Sequence, residues 1–196
     1  AVGTGTTLRW FREAFGGALP FDELINQAAR IDMGSEGLLC YPFVEGASVP
    51  YQDDKARATF YGIASQHGRS HFVRSVLEAI SYQYPSLLEV VKSRGLPVGT
   101  LTISDGEARS QVWNQIKADV LGVSITPAAR VEAPALGAAI LAGIATGQFS
   151  SFEESVEIVV ELGAPIIPDP NSHDLYTELR VEWERLRNIV YPDLVK

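Results

Sequence analysis

The sequence predicts an α/β domain with a substantially parallel, helix-covered sheet and a C-terminal helical extension. Three observations carry this. Short apolar runs bounded by glycine, proline and charge alternate with longer stretches whose apolar residues recur at three-and-four spacing. The segment from Thr100 runs strand, Asp105-Gly106 turn, helix and strand again, the order that builds parallel pairing. The chain's 196 residues, 46% of them hydrophobic, are enough to bury one sizeable core, and no internal repeat divides them.

At the start, Gly3-Thr4-Gly5-Thr6-Thr7 leads into a short helix over residues 8–15, with Thr6 or Thr7 as its cap and Gly16-Gly17 as its stop. A glycine–threonine run can cradle phosphate, but no strand precedes this one and no Gly-Lys-Ser/Thr follows. A second short helix is expected over residues 21–32. Strands are expected over 38–44 and 58–64, separated by a turn-rich loop. The clearest helix places Phe72, Val73, Val76, Leu77, Ile80, Tyr84, Leu87, Leu88 and Val91 on one face. Pro85 should break it around Ser81, and Gly95 and Pro97 close it.

A strand over 100–103 then enters the loop 104–108, followed by a helix over 110–121 and a strand over 124–126. Pro134 suits the first turn of the next helix. Its small residues Gly137, Ala138, Ala139 and Gly143 would allow close packing or close approach of a ligand, and packing is the plainer reading. Ser151 caps a further helix. Pro165, Pro168 and Pro170 mark an extended linker, and a last helix over 172–190 aligns Leu175, Leu179, Trp183 and Leu186.

Twenty-four acidic against sixteen basic side chains give a formal charge of −8. Such a surface repels phosphate backbones and anionic lipid, so no nucleic-acid and no membrane partner is expected. The single cysteine, Cys40, forms no intrachain disulfide and is read as a buried, inert thiol. With no signal-peptide pattern and no apolar stretch of membrane-spanning length, a cytoplasmic location is expected.

Chemistry is best placed on the loop 104–110, where an apolar strand meets Asp-Gly and a helix begins. Backbone N–H groups there can face a ligand at the carboxyl end of a strand. Other constellations fail. His67, His71 and His173 share no metal-ligand spacing, and neither a nucleophile elbow nor a Walker A loop is present. Asp53-Asp54 and Glu153-Glu154 read as loop and helix-start residues, and Glu182, Glu184, Arg185 and Arg187 as a solvated face.

Several segments together resemble the FGGY carbohydrate kinases, the family of xylulose, gluconate, ribulose and glycerol kinases, with the xylulose kinase type the nearest. The second family signature runs Ala58-x-Phe60-x-Gly62-Ile63 and, after seven intervening residues, His71-Phe72-x-x-Ser75-Val76-Leu77-Glu78. The stretch from Ile103 to Ser110, continuing Trp113-x-Gln115-x-x-Ala118-Asp119, is similar to the family's adenosine motif. Ala135-Leu136-Gly137-Ala138-Ala139 resembles the small-residue helix beyond it, and Leu8-Arg9-Trp10-Phe11-Arg12 the helix at the start.

The resemblance implies a ribonuclease H-like (actin-like ATPase) fold and two domains around a cleft. Sugar binds mainly to the first domain and ATP with Mg2+ mainly to the second. Residues 1–196 correspond to most of the second domain, with its first strands and the N-terminal sugar-binding domain outside this sequence. The base aspartate belongs to that absent domain, so no catalytic residue is expected here, and this chain alone should phosphorylate nothing. The resemblance assigns nucleotide binding to Asp105, Gly106, Glu107, Ala108, Ser110 and Gln111. It assigns no metal ligand. Expected partners are ATP, a small sugar and the protein's own N-terminal domain; a homodimer stays open.

Two departures matter. The family commonly has Gly-Gly-Gly-Ala or Asp-Gly-Gly-Ala where this sequence reads Asp105-Gly106-Glu107-Ala108. A carboxylate 4 Å from a phosphate repels it by about 1 kcal/mol in water and about 4 at an effective dielectric of 20. A helix N-terminus returns only about 0.3–1 kcal/mol. Glu107 must therefore turn away, pair with a cation such as Arg109 or magnesium, or weaken ATP binding, as in a degenerate module that binds a ligand or partner without catalysis. The loop Gly46-Ala47-Ser48-Val49-Pro50 also departs from the family's Gly-Glu-Arg-x-Pro.

Overall fold

A computed structural model describes residues 4–17, 19–48, 52–129 and 132–195. Its first helix, α1 (Thr4–Phe15), takes in residues 4–7 of the glycine–threonine run, so Thr6 and Thr7 lie within the helix rather than capping it, while Gly3 lies outside the described residues. Thr7 is buried instead, and its hydroxyl donates to the Pro42 carbonyl at 2.8 Å. The second helix, α2 (Phe21–Ala28), ends four residues earlier than expected. There Ile31 N–H turns back to the Ala28 carbonyl, tightening the chain toward a left-handed turn at residues 34–37.

Strands β1 (Leu39–Tyr41) and β2 (Thr59–Tyr61) pair antiparallel, with Cys40 opposite Phe60. β1 is shorter than its apolar run because Pro42 has no N–H to donate. Beyond β2, Gly62 sits at φ +81°, where a Cβ would lie 2.6 Å from the Gly37 carbonyl oxygen.

The central element is α3 (Arg69–Ser81), buried continuously from Val73 to Ser81. Its polar residues survive that burial because they are mutually satisfied. Glu78 accepts from Arg74 Nε at 2.7 Å, from the Gly34 N–H and Ser35 hydroxyl at 3.0 Å each, and from the Tyr176 hydroxyl at 3.1 Å. It thereby holds a turn in which Ser35 and Glu36 have φ of 52° and 54°, a conformation costing about 1–2 kcal/mol per residue. As expected, the helix breaks after Ser81 and resumes as α4 (Tyr84–Ser93), with Pro85 in its first turn.

The second sheet is parallel. β3 (Thr100–Ile103) pairs with β4 (Ser124–Pro127), Thr100 against Ser124 through Ile103 against Pro127. Between them run the single turn α5 (Asp105–Ala108) and α6 (Gln111–Leu121). Ser110 caps α6, its hydroxyl accepting the Trp113 N–H at 3.2 Å. Gly122 ends it at φ +63°, with the His173 ring 2.7 Å from where a Cβ would be. The proline-rich segment is more than a linker, since Ile166 and Ile125 exchange N–H···O bonds of 2.8 and 3.0 Å and extend the sheet edge.

Helix α7 (Ala133–Ala145) buries only Ile140; Gly137, Ala138 and Ala139 are exposed, so the expected close packing is absent there. Ser151 caps α8 (Phe152–Val159) as expected. The last helix, α9 (Pro170–Val190), packs against α6 and into the core through Tyr176, Trp183 and Leu186. Its inner face is 176, 179, 183 and 186; Leu175, one position off that spacing, is 38% exposed. Helices α1, α2, α3, α6 and α9 and strand β1 share one apolar cluster that includes Leu8, Leu24, Val76, Trp113 and Trp183. No helix among the described residues is long and apolar enough to cross a membrane.

Candidate nucleotide site

The carboxyl end of β3 delivers the loop 104–110 to the wall of a cleft of about 660 Å³. That is within the roughly 300–1,000 Å³ range of ligand pockets. Gly5, Arg9 and Arg12 of α1 form the facing wall, with Phe21 and Asp22 of α2; Asp105, Gly106, Glu107, Arg109, Ser110 and Trp113 form the loop side.

Each expected site residue has a defined place. Asp105 stands at φ +61°, its carboxylate accepting the Ser104 hydroxyl at 3.1 Å and the Ala133 N–H at 3.2 Å. Gly106 is exposed at the cleft, and a Cβ added there meets no heavy atom within 4 Å. Ser110 combines its capping role with a place on the wall. The Ala108 carbonyl accepts from Asn114 Nδ2 at 3.1 Å, which fixes the exit of the turn. Gln111 opens instead onto a neighbouring hollow shared with Met33, Arg74 and Asp119.

Glu107 is the informative case. Its Oε2 lies 2.5 Å from Lys117 Nζ and accepts the Tyr84 hydroxyl at 3.1 Å. Lys117 is wholly buried and lies 4.1 Å from the Trp113 ring centroid. Burial pushes the Lys117 ammonium below its usual range, and the charge and hydrogen bond of Glu107 oppose that shift. Burial likewise pushes the Tyr84 phenol up, reinforced by Glu107. Arg109, the cation expected beside Glu107, is exposed and lines the cleft.

Sequence reasoning missed the α1 side. Arg9 and Arg12 are three residues apart and so share a helix face. That spacing, within the segment already seen to resemble the family, was the available signal. Arg12 is fixed with its guanidinium 4.2 Å from the centroid of the Phe21 ring. Gly5, in the first described turn of α1, lines the same wall, and the Arg9 and Arg12 side chains beside it suit an anion. The departing loop lies next to it. Gly46, Ala47 and Ser48 line a second hollow of about 490 Å³ with Thr6 and Asp54, while Val49 and Pro50 lie outside the described residues.

Comparison with known proteins gives this geometry its context. The chain is 32% identical over 185 residues to the xylulose kinase of Staphylococcus epidermidis, covering 94% of this chain and 37% of that protein. It is 31% identical over 166 residues to the gluconokinase of Bacillus subtilis, covering 79% of this chain and 32% of that protein. The crystal structure of xylulose kinase from Rhodospirillum rubrum superposes with a TM-score of 0.82 at 29% identity, over 98% of this chain and 39% of that one. The chain thus spans well under half the length of the relatives it matches. The model of the FGGY family of carbohydrate kinases, C-terminal domain, matches residues 3–146, and the chain belongs to that family.

Proposed function

We propose that this chain is the nucleotide-binding half of an ATP-dependent kinase that phosphorylates a hydroxyl of a sugar or sugar-derived polyol. The observation that carries the reading is the cleft itself, in which Arg9 and Arg12 face the Asp105–Ser110 turn across a ligand-sized space. Phosphoryl transfer asks a protein mainly to position the phosphates and stabilise their charge. In this reading the guanidiniums of Arg9 and Arg12 attract the phosphate chain, and exposed Gly106 lets the nucleoside approach the backbone. The Arg12–Phe21 stack is a flat group suited to flank a base.

ATP supplies the transferred phosphoryl group. Mg2+ belongs to the same proposal as an ion carried on the phosphates, which needs only one or two carboxylates from the protein. The sugar and the base aspartate are assigned to a separate N-terminal domain. The rival reading, a degenerate binding module, rests on the charge of Glu107, and Lys117 offsets that charge.

Titration calorimetry of ADP onto this chain tests the nucleotide half, and ATP-dependent phosphorylation of pentuloses and hexonates by a two-domain protein tests the rest. Saturable ADP binding, lost on Arg9→Ala/Arg12→Ala, is expected. Absence of ADP binding at millimolar concentration, with or without magnesium, would sink it.

A further inference from the structure

We propose that Lys117 is a positioning residue of the nucleotide cleft, which neutralises Glu107 from behind the loop and lets a carboxylate stand in the wall of a cleft that takes a phosphate-bearing ligand. The inference rests on the nucleotide reading above. Its basis is the layering of three groups. Glu107 lines the cleft with its side chain 19% exposed, and Lys117, on α6, lies behind it with its side chain wholly buried. Tyr84, from α4, donates to the same oxygen that Lys117 approaches, so the two hold Glu107 Oε2 from the protein side.

The placement of Lys117 is otherwise hard to account for. A lysine rarely sits at zero exposure without a paired charge, because its ammonium loses its hydration there. Asn114 Oδ1, at 3.5 Å, adds little, and the Trp113 ring contributes only its face. Glu107 provides the compensating charge for Lys117, just as Lys117 does for Glu107. A neutral glycine at 107 would leave the lysine without its carboxylate, and an apolar residue at 117 would take the buried cation away from a carboxylate that lines the cleft. The two residues form one unit, ten positions apart across the α5–α6 corner.

A charge cycle tests this on the full chain, with ADP and adenosine as probes in calorimetry. Lys117→Met removes the buried positive charge beside Glu107 and should weaken ADP binding about tenfold or more while changing adenosine binding less than about threefold, since the lost charge acts mainly on the phosphates. Glu107→Gln removes the charge that holds the buried lysine protonated, so Lys117 sheds its proton, the site stays neutral, and ADP binding should stay within about threefold of the wild type. The double variant is neutral again and should bind ADP within about threefold of the wild type.

Equal losses for ADP and adenosine, or a double variant no better than Lys117→Met, would overturn the proposal. Should Lys117→Met fail to fold, Lys117→Gln, which keeps a donor toward Glu107 but not the charge, takes its place: a loss of ADP affinity without loss of adenosine affinity supports the pair's role, and unchanged ADP affinity refutes it. Failure of the nucleotide reading looks different, because then neither probe binds any variant.

Discussion

The carboxylate of Asp105 accepts the Ala133 backbone N–H at 3.2 Å, tying the first residue of α5 to the first residue of α7. Asp105 also holds a left-handed backbone, φ +61°, which aspartate tolerates better than alanine does. Replacing it by alanine loses an N-terminal cap, about 1 kcal/mol. It also leaves a Cβ in the left-handed region with nothing in return, about 1 kcal/mol more. Asp105→Gly loses only the cap. The glycine variant should therefore be the more stable of the two, reversing the usual helix order. Urea unfolding midpoints at constant slope measure it; an alanine variant at least as stable as the glycine one refutes the account.

Gly106 separates ligand from fold. A Cβ there meets no heavy atom of the protein within 4 Å, so Gly106→Ala should leave thermal stability unchanged or raise it by about 0.5–1 kcal/mol. A nucleotide lying against this turn would meet the added methyl. ADP affinity should then fall by roughly tenfold, equivalent to about 1.4 kcal/mol. Calorimetry and a melting curve on the same sample read both effects. Unchanged affinity would remove the nucleotide from this wall.

Much of this fold was legible because local signals agreed with tertiary need. The β3 run, the Ser151 cap and the Pro85 break all act within a few residues of themselves. Tertiary partners were not legible. Tyr176 took the inner position that spacing had assigned to Leu175, because its hydroxyl bonds Glu78, 98 positions away. The two arginines of α1 face a loop almost a hundred residues on, and nothing local marks that meeting. Lys117 sits in a helix whose neighbours Ile116 and Ala118 are also buried; only the structure identifies Glu107 as the reason it is there.

The Arg74–Glu78 pair should behave as one unit. Each is more than nine-tenths buried, at 2.7 Å, and Glu78 also anchors Gly34 and Ser35. Burial pulls the Arg74 guanidinium down, but Glu78 and Tyr176 outweigh it and leave its pKa raised. Arg74→Met should cost about 3–5 kcal/mol by leaving a carboxylate buried without its cation. Glu78→Gln should cost a comparable amount. The double variant should cost less than the two losses combined, by about 1–3 kcal/mol. A denaturation-based double-mutant cycle gives that coupling, and additive losses would show that the two side chains act separately.

Alkaline pH should find the buried phenols. Burial raises the pKa of Tyr82, Tyr84 and Tyr176 above the ordinary value near 10, and the charges of Glu78 and Glu107 raise it further. The sign follows from linkage. Above about pH 10 the unfolded chain has released these protons while the folded chain keeps them, so stability falls as pH rises. In a titration followed at tyrosinate wavelengths, fewer than the seven tyrosines should ionise while the circular dichroism stays native. The remainder should ionise together with its loss. Seven tyrosines titrating smoothly near pH 10 in a folded protein would contradict the burial of Tyr82 and Tyr176, and with it the packing of α9 against α3.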